Sequence, residues 1–272
     1  MKMGFWHAVP RFAQQALLMS TILLGTVSAG QAEDFEMLPS ATLEPAGTEP
    51  QVIGGVRADP AQWPATLVFR TSAGGCTATV IGKRAVLTAA HCVTNGATGK
   101  IKLAPDKEVA LKCSHHPGYP NDISVDYALC SAGADLPDVT EGFERIGTIA
   151  PKSGDSIVLI GYGCIRKGGV DHTFGQLWWG SATVATVSNS SSYFVTKGAA
   201  VCYGDSGGAA YSVANGGNRV IVGVNSRGDI STYSWISTTR TNGFVDWAKG
   251  WSRDNSAPIC GIEGGAGKCR QQ

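Results

Sequence analysis

"VCYGDSGGAA", residues 201–210, sets one serine, Ser206, among an acid and three glycines, directly after a tyrosine and a cysteine. A flexible turn accounts for glycines but not for this order. A serine hydroxyl is a poor nucleophile near neutral pH, so a catalytic serine needs a base within hydrogen-bond reach and a third group to orient that base. The chain has five histidines, at 7, 91, 115, 116 and 172. His91 stands in "AVLTAAHC", at the end of a β-like apolar run and joined to Cys92, and is the candidate base.

The rest of the chain bounds what such a serine belongs to. In residues 1–32, Lys2 and Arg11 precede an apolar run and small residues follow it, the order of a secretory signal peptide cut after Ala29 or Ala32. That run falls short of the roughly 20 residues that span a bilayer. Residues 33–51 are acidic, proline-bearing and aperiodic, and read as a pro-segment. All eight cysteines, Cys76, Cys92, Cys113, Cys130, Cys164, Cys202, Cys260 and Cys269, lie beyond the signal, so disulfides are expected in an oxidising compartment. The net charge of +1, with no basic block, argues against nucleic acid as a partner.

Short β-branched runs such as "SIVLIGYG", "SATVATV" and "RVIVGVNS" recur between turn residues and predict an all-β protein, a sandwich or barrels. "GFVDWAKGW" predicts one short helix near the end, and residues 252–272 a tail closed by a small Cys260–Cys269 loop. The pair His115–His116 lies at no standard zinc spacing, and oxidised cysteines offer no thiolate, so neither metal nor cofactor is expected.

"LTAAHC" upstream and "GDSGG" downstream together resemble the chymotrypsin-like (trypsin-like) serine endopeptidases. "VIGG" at 52–55 is similar to that family's mature N-terminus, and "DYALC" at 126–130 to the segment carrying its buried aspartate; "IGYGC" and "FVDWAKG" are weaker echoes. The resemblance covers roughly residues 52–251. It implies two six-stranded antiparallel Greek-key β-barrels, about 52–150 and 151–240, with the active site in the cleft between them and a short C-terminal helix. It implies a triad of His91, Asp126 and Ser206, an oxyanion hole from the N–H groups of Gly204 and Ser206, and an activation pair in which the new amine of Val52 meets Asp205. It also implies a Cys76–Cys92 bridge behind His91. Cys113 and Cys130 can close the loop leading to Asp126, and Cys164 is the preferred partner of Cys202, which lacks its usual one.

Departures from the family pattern narrow the reading. Ala200 falls where the trypsin branch holds an acid, so with Val201 it points to an uncharged residue before the scissile bond. "GVNSRG" resembles the substrate-pairing strand and puts Ser226, Arg227 and Gly228 at the pocket edge, with Arg227 replacing a tryptophan and favouring acidic substrate residues nearby. Gln51 precedes the activation site where a basic residue is usual, so either another endopeptidase processes the chain or the enzyme cuts itself. The interval from His91 to Asp126 is short, leaving Asp122 as a rival carboxylate. The expectation is a secreted monomeric serine endopeptidase, extracellular or periplasmic in a Gram-negative host, made as a zymogen and acting on protein or peptide without membrane contact after signal removal. The alternative is a catalytically idle secreted binding protein on the same fold.

Overall fold

The structure is a computed structural model and describes residues 52–271 apart from 73, 140, 148, 170–173 and 215–216. The signal and pro-segment expectations, with Gln51 and His172, lie outside the described residues. Six strands, β2 (Thr66–Thr71), β3 (Gly74–Val80), β4 (Ala85–Thr88), β5 (Thr98–Ala104), β6 (Lys107–His115) and β7 (Ala128–Ala132), close into an antiparallel barrel in the order β2-β3-β4-β7-β6-β5. A second ring is made by β8 (Ser156–Gly161), β9 (Trp178–Val187), β10 (Tyr193–Gly198), β11 (Ala209–Val213), β12 (Arg219–Gly228) and β13 (Tyr233–Thr238). It closes where β8 pairs with both β9 and β11. The short β1 (Val56–Arg57) precedes the first barrel in sequence yet pairs with β9 of the second. The fold is therefore the expected pair of six-stranded antiparallel barrels.

Strand alternation builds each core. In β5, Gly99 and Ile101 point inward while Lys100 and Lys102 point outward, and Ile101 lies opposite the buried Phe69 of β2. Phe69, Leu87, Ile101, Leu111 and Leu129 are shielded from solvent, and burying each such side chain contributes about 1.5–3 kcal/mol. In β12 the alternation disappears, because both faces are covered. Val220 and Val222 join the second-barrel core with Val184, Phe194 and Ile236, whereas Ile221 and Val224 join a cluster continuous with the first barrel. A strand buried on both faces reads as an unbroken apolar run, as "VIVGV" does.

The terminal helix α1 runs Asn242–Asn255, longer than the sequence suggests. Thr241 caps it by accepting a hydrogen bond from the Phe244 amide, and Ser256 ends it in the left-handed region. Phe244, Ala248 and Trp251 form its buried stripe, and Phe244 meets Tyr127 edge to face at 4.9 Å between ring centres. The stretch after the helix is no loose appendage: Ala257, Ile259, Cys260 and Ala266 are buried in the first core, and the Cys260–Cys269 bridge closes it.

A buried ion cluster ties this tail to the segment between the barrels. Glu144 accepts from Arg219 at 2.6 Å and lies 3.4 Å from Arg270 Nε, while the Arg219 guanidinium stacks on Trp63 at 3.6 Å. Removing one partner of a buried pair strands the others' charge and costs about 3–5 kcal/mol. Glu144→Ala is accordingly expected to lower the unfolding free energy by about that amount, read from the midpoint of denaturant unfolding with all disulfides intact.

Candidate active site

The register of β4 against β7 brings the first two groups together. Thr88 at the end of β4 lies opposite Ala128 at the start of β7. The chain leaving β4 and the chain entering β7 therefore sit at the same end of the barrel. His91 follows in a single 3-10 turn, Ala90–Cys92, and Asp126 lies just before β7. The Asp126 carboxylate accepts from the backbone N–H of His91 (2.9 Å) and faces its ring Nδ1 at 2.7 Å. It accepts a third bond, from the Ser226 hydroxyl, at 2.6 Å. Burial pushes the Asp126 carboxyl up, but the bonds and charge of His91 and the hydroxyl of Ser226 outweigh it and hold it below the usual carboxylate range. Asp122 makes no hydrogen bond to His91 among the described residues. Its Oδ1 is engaged with the amide and hydroxyl of Ser124 in an exposed turn.

Ser206 arrives from the loop between β10 and β11. That loop is pinned to the first barrel by Thr77, whose amide donates to the Ser206 carbonyl (2.8 Å) and whose hydroxyl donates to the Gly204 carbonyl (2.8 Å). From the other side, Gly207 N donates to Asn225 O, and the Asn225 amide reaches Ile160 O and Asp205 O. His91 Nε2 and the Ser206 carbonyl both lie against one sulfur, Cys92 Sγ, at 3.9 and 3.7 Å. No hydrogen bond joins His91 to the Ser206 hydroxyl among the described residues. The Cys76–Cys92 bridge sits directly beside the imidazole, and as a disulfide it has no thiolate to offer a metal. His115 and His116 are engaged separately, His115 Nε2 with Val93 O and His116 Nδ1 with the Gly118 amide.

Within the serine loop the amides divide. Asp205, Gly207 and Gly208 donate to backbone carbonyls, whereas the N–H groups of Gly204 and Ser206 donate to no acceptor among the described residues. Gly204 has φ +98°, and a Cβ there would lie 2.6 Å from the Phe174 ring and 2.9 Å from Gly163 Cα. Only glycine fits. The buried Asp205 carboxylate accepts from Gly163 N (2.8 Å) and Cys202 N (2.9 Å). A side chain at Gly163 would collide with that carboxylate, its Cβ falling 2.5 Å from Asp205 Cγ.

Around the expected pocket, Ala200 is fully buried, donates its amide to Ile53 O, and packs with Ile53, Cys164, Cys202 and Ile230. The Val201 amide donates to the Ser234 hydroxyl. Gly228 faces Val201, while Arg227 is exposed and lies 5.8 Å over the Tyr193 ring. Ser226, expected at the pocket edge, is buried with its hydroxyl turned to Asp126. All four bridges are present: Cys76–Cys92, Cys113–Cys130, Cys164–Cys202 and Cys260–Cys269. The β12–β13 loop, 229–232, is tightly wound by three amides on Asp229 Oδ1 and carries no cysteine, so Cys202 is held from Cys164 instead.

Sequence reasoning passed over Thr77, Phe174, Ser234 and Tyr193. The Tyr193 hydroxyl lies 3.1 Å from Ser226 Oγ and donates to Ile123 O. None of the four carries a local motif; each acquires its place only when the barrels close.

Two closed antiparallel barrels meeting over a histidine–carboxylate pair and a glycine-lined serine loop define the two-barrel chymotrypsin-like class. Residues 52–248 match the Trypsin family model, and the chain belongs to the trypsin family of serine proteases. It is 24% identical over 237 residues to chymotrypsin-like elastase family member 1 of Bos taurus, covering 74% of this chain and 89% of that protein. Among solved structures, neuropsin, described as a serine protease expressed in the limbic system of mouse brain, matches with a TM-score of 0.58 at 19% identity. That match covers 72% of this chain and 98% of the neuropsin chain, and at such identity it speaks for the fold alone.

Proposed function

We propose that this protein is a secreted serine endopeptidase that hydrolyses peptide bonds through an acyl-enzyme at Ser206, His91 and Asp126, after an uncharged residue. The observation that carries this reading is the buried Asp126 carboxylate fixed on both the amide and the ring of His91. That contact holds the proton on Nδ1 and leaves Nε2 as the base. Ser206 Oγ attacks the peptide carbonyl carbon while its proton passes to Nε2, and the oxyanion forms against the unengaged N–H groups of Gly204 and Ser206. Collapse breaks the C–N bond as Nε2–H protonates the leaving amine; water then repeats the steps in reverse to free the acid. The apolar surroundings of Ala200 support an uncharged residue before the bond, and Arg227 supports acidic residues near it.

Activation by cleavage before Val52 belongs to the same proposal. Val52 is 1% exposed in the second-barrel core at φ +50°, a conformation that costs a β-branched residue about 1–2 kcal/mol. Cutting the chain there removes the constraint and creates an α-ammonium for Asp205. The pairing raises the amine's pKa above its free value of about 7.7–8.0. Its stabilisation is therefore complete below that value and is lost as pH rises through the raised one. The processed enzyme is expected to lose activity reversibly in alkali before general unfolding; a flat profile up to unfolding counts against the pair.

The idle binding alternative has one observation on its side, the lack of a hydrogen bond from His91 to the Ser206 hydroxyl. A serine-directed phosphonate separates the two. Chain cut before Val52 is expected to form an adduct that Ser206→Ala cannot form, and absence of label on correctly cut chain favours the binding reading.

A further inference from the structure

The outer face of the first barrel carries charge that the peptidase reading does not use. On β2, β5 and β6 the residues Arg70, Lys100, Lys102 and Lys112 share one outward face, with Lys100 opposite Arg70 and Lys112 opposite Thr98. Glu108, on the same face, is paired with Lys100 at 3.4 Å. A cavity of about 410 Å³ opens here, lined by Arg70, Thr71, Ser72, Thr98, Lys100 and Glu108. Arg70 makes no ion pair among the described residues. Its guanidinium lies 5.6 Å over the ring of Phe174.

Contacts lead from the residues lining the cavity toward His91. His91 hands its proton to the departing amine, so the substrate beyond the cut bond must run past His91 and the adjoining Cys76–Cys92 bridge. Two contacts continue that path. The Thr71 hydroxyl donates to the Cys92 carbonyl at 3.0 Å. The Phe174 ring stands between the serine loop and β3, occupying the space a Cβ would take on Gly204 (2.6 Å) and on Gly75 (2.3 Å), and Gly75 lies opposite Arg70 in the sheet. Phe174 thus stands between the serine loop and the Arg70 guanidinium, which has no ion-pair partner among the described residues.

We propose, on the strength of the peptidase reading, that this cavity is a leaving-group-side subsite for an Asp or Glu side chain of the substrate, with Arg70 as its direct partner and Phe174 as the wall that aims it. Lys100 adds positive potential that Glu108 partly cancels. Arg227 lies on β12 of the second barrel and is independent of this preference.

The test uses paired quenched peptides, identical up to the cut bond and carrying Glu or Gln at one of the first four positions beyond it, with chain cut before Val52. The wild type is expected to favour Glu in kcat/KM by about fivefold at low salt, near the upper end of what an exposed ion pair supplies. The preference should shrink as salt screens the pair. Arg70→Gln is expected to bring the ratio close to one, Glu108→Gln to raise it, and Arg227→Gln to leave it in place. A wild-type ratio near one at every position, or a Glu preference that survives Arg70→Gln, overturns the subsite. Failure of the peptidase reading looks different: neither peptide is cut and the phosphonate does not label.

Discussion

Ser206→Ala is expected to lower kcat on a peptide substrate by about a millionfold while leaving the fold intact. The size follows from how the groups act: without the hydroxyl no acyl-enzyme forms, and the remaining His91 and Asp126 have no proton to move. A residual rate about 10³–10⁴ above that in water is expected to persist, because the N–H groups of Gly204 and Ser206 survive the substitution. Stability is expected to change by no more than about 0.5 kcal/mol, since the Ser206 hydroxyl bonds to nothing among the described residues. Single-turnover kinetics and denaturant midpoints measured on the same preparation check both halves. A kcat within a hundredfold of wild type would remove Ser206 from the chemistry.

The second large effect concerns Asp126. Its Oδ2 faces His91 Nδ1 and accepts from Ser226, and its Oδ1 accepts the His91 amide. In Asp126→Asn, holding the bond to the His91 amide keeps the carbonyl at Oδ1 and turns the new NH₂ toward Nδ1. The imidazole must then accept there and carry its proton on Nε2, the wrong tautomer for a base. A loss in kcat on the order of 10⁴ is expected, with KM little changed. The same residue sets an acid dependence of stability. Because the folded carboxyl is held below its free value of about 3.9, its contribution is complete above that value and is lost as pH falls through the lowered one. Thermal unfolding of Asp126→Asn should therefore lack part of the acid-side decline that wild type shows. Wild-type turnover in this variant would leave His91 without its proposed orienting partner.

Much of this was legible in the sequence because it is local. The apolar runs of β8, β9 and β12, the short helix near the end and the glycines flanking Ser206 are written over a few residues each, at the scale on which strand period and turns operate. The pairing of Cys164 with Cys202 and the Cys260–Cys269 loop also agree between the two levels. The choice of Asp126 over Asp122 was open from sequence, since both are acids near a strand start. The β4–β7 register brings the chain ahead of Ala128, and with it the Asp126 carboxylate, to His91.

The amino-acid sequence by itself determined the chemical inventory: a serine flanked by glycines, a histidine behind a strand, an acid before another, cysteines in even number and an uncharged alanine at 200. Tertiary structure alone decided that Thr77 grips the Gly204 carbonyl across 127 residues of chain, that Ser226 turns to Asp126 across 100, and that Phe174 comes to rest on Gly75 and Gly204. The reason is physical. Backbone preferences and hydrophobic periods act between near neighbours, whereas contacts at such separations exist only after two sheets have closed and fixed which loops face one another.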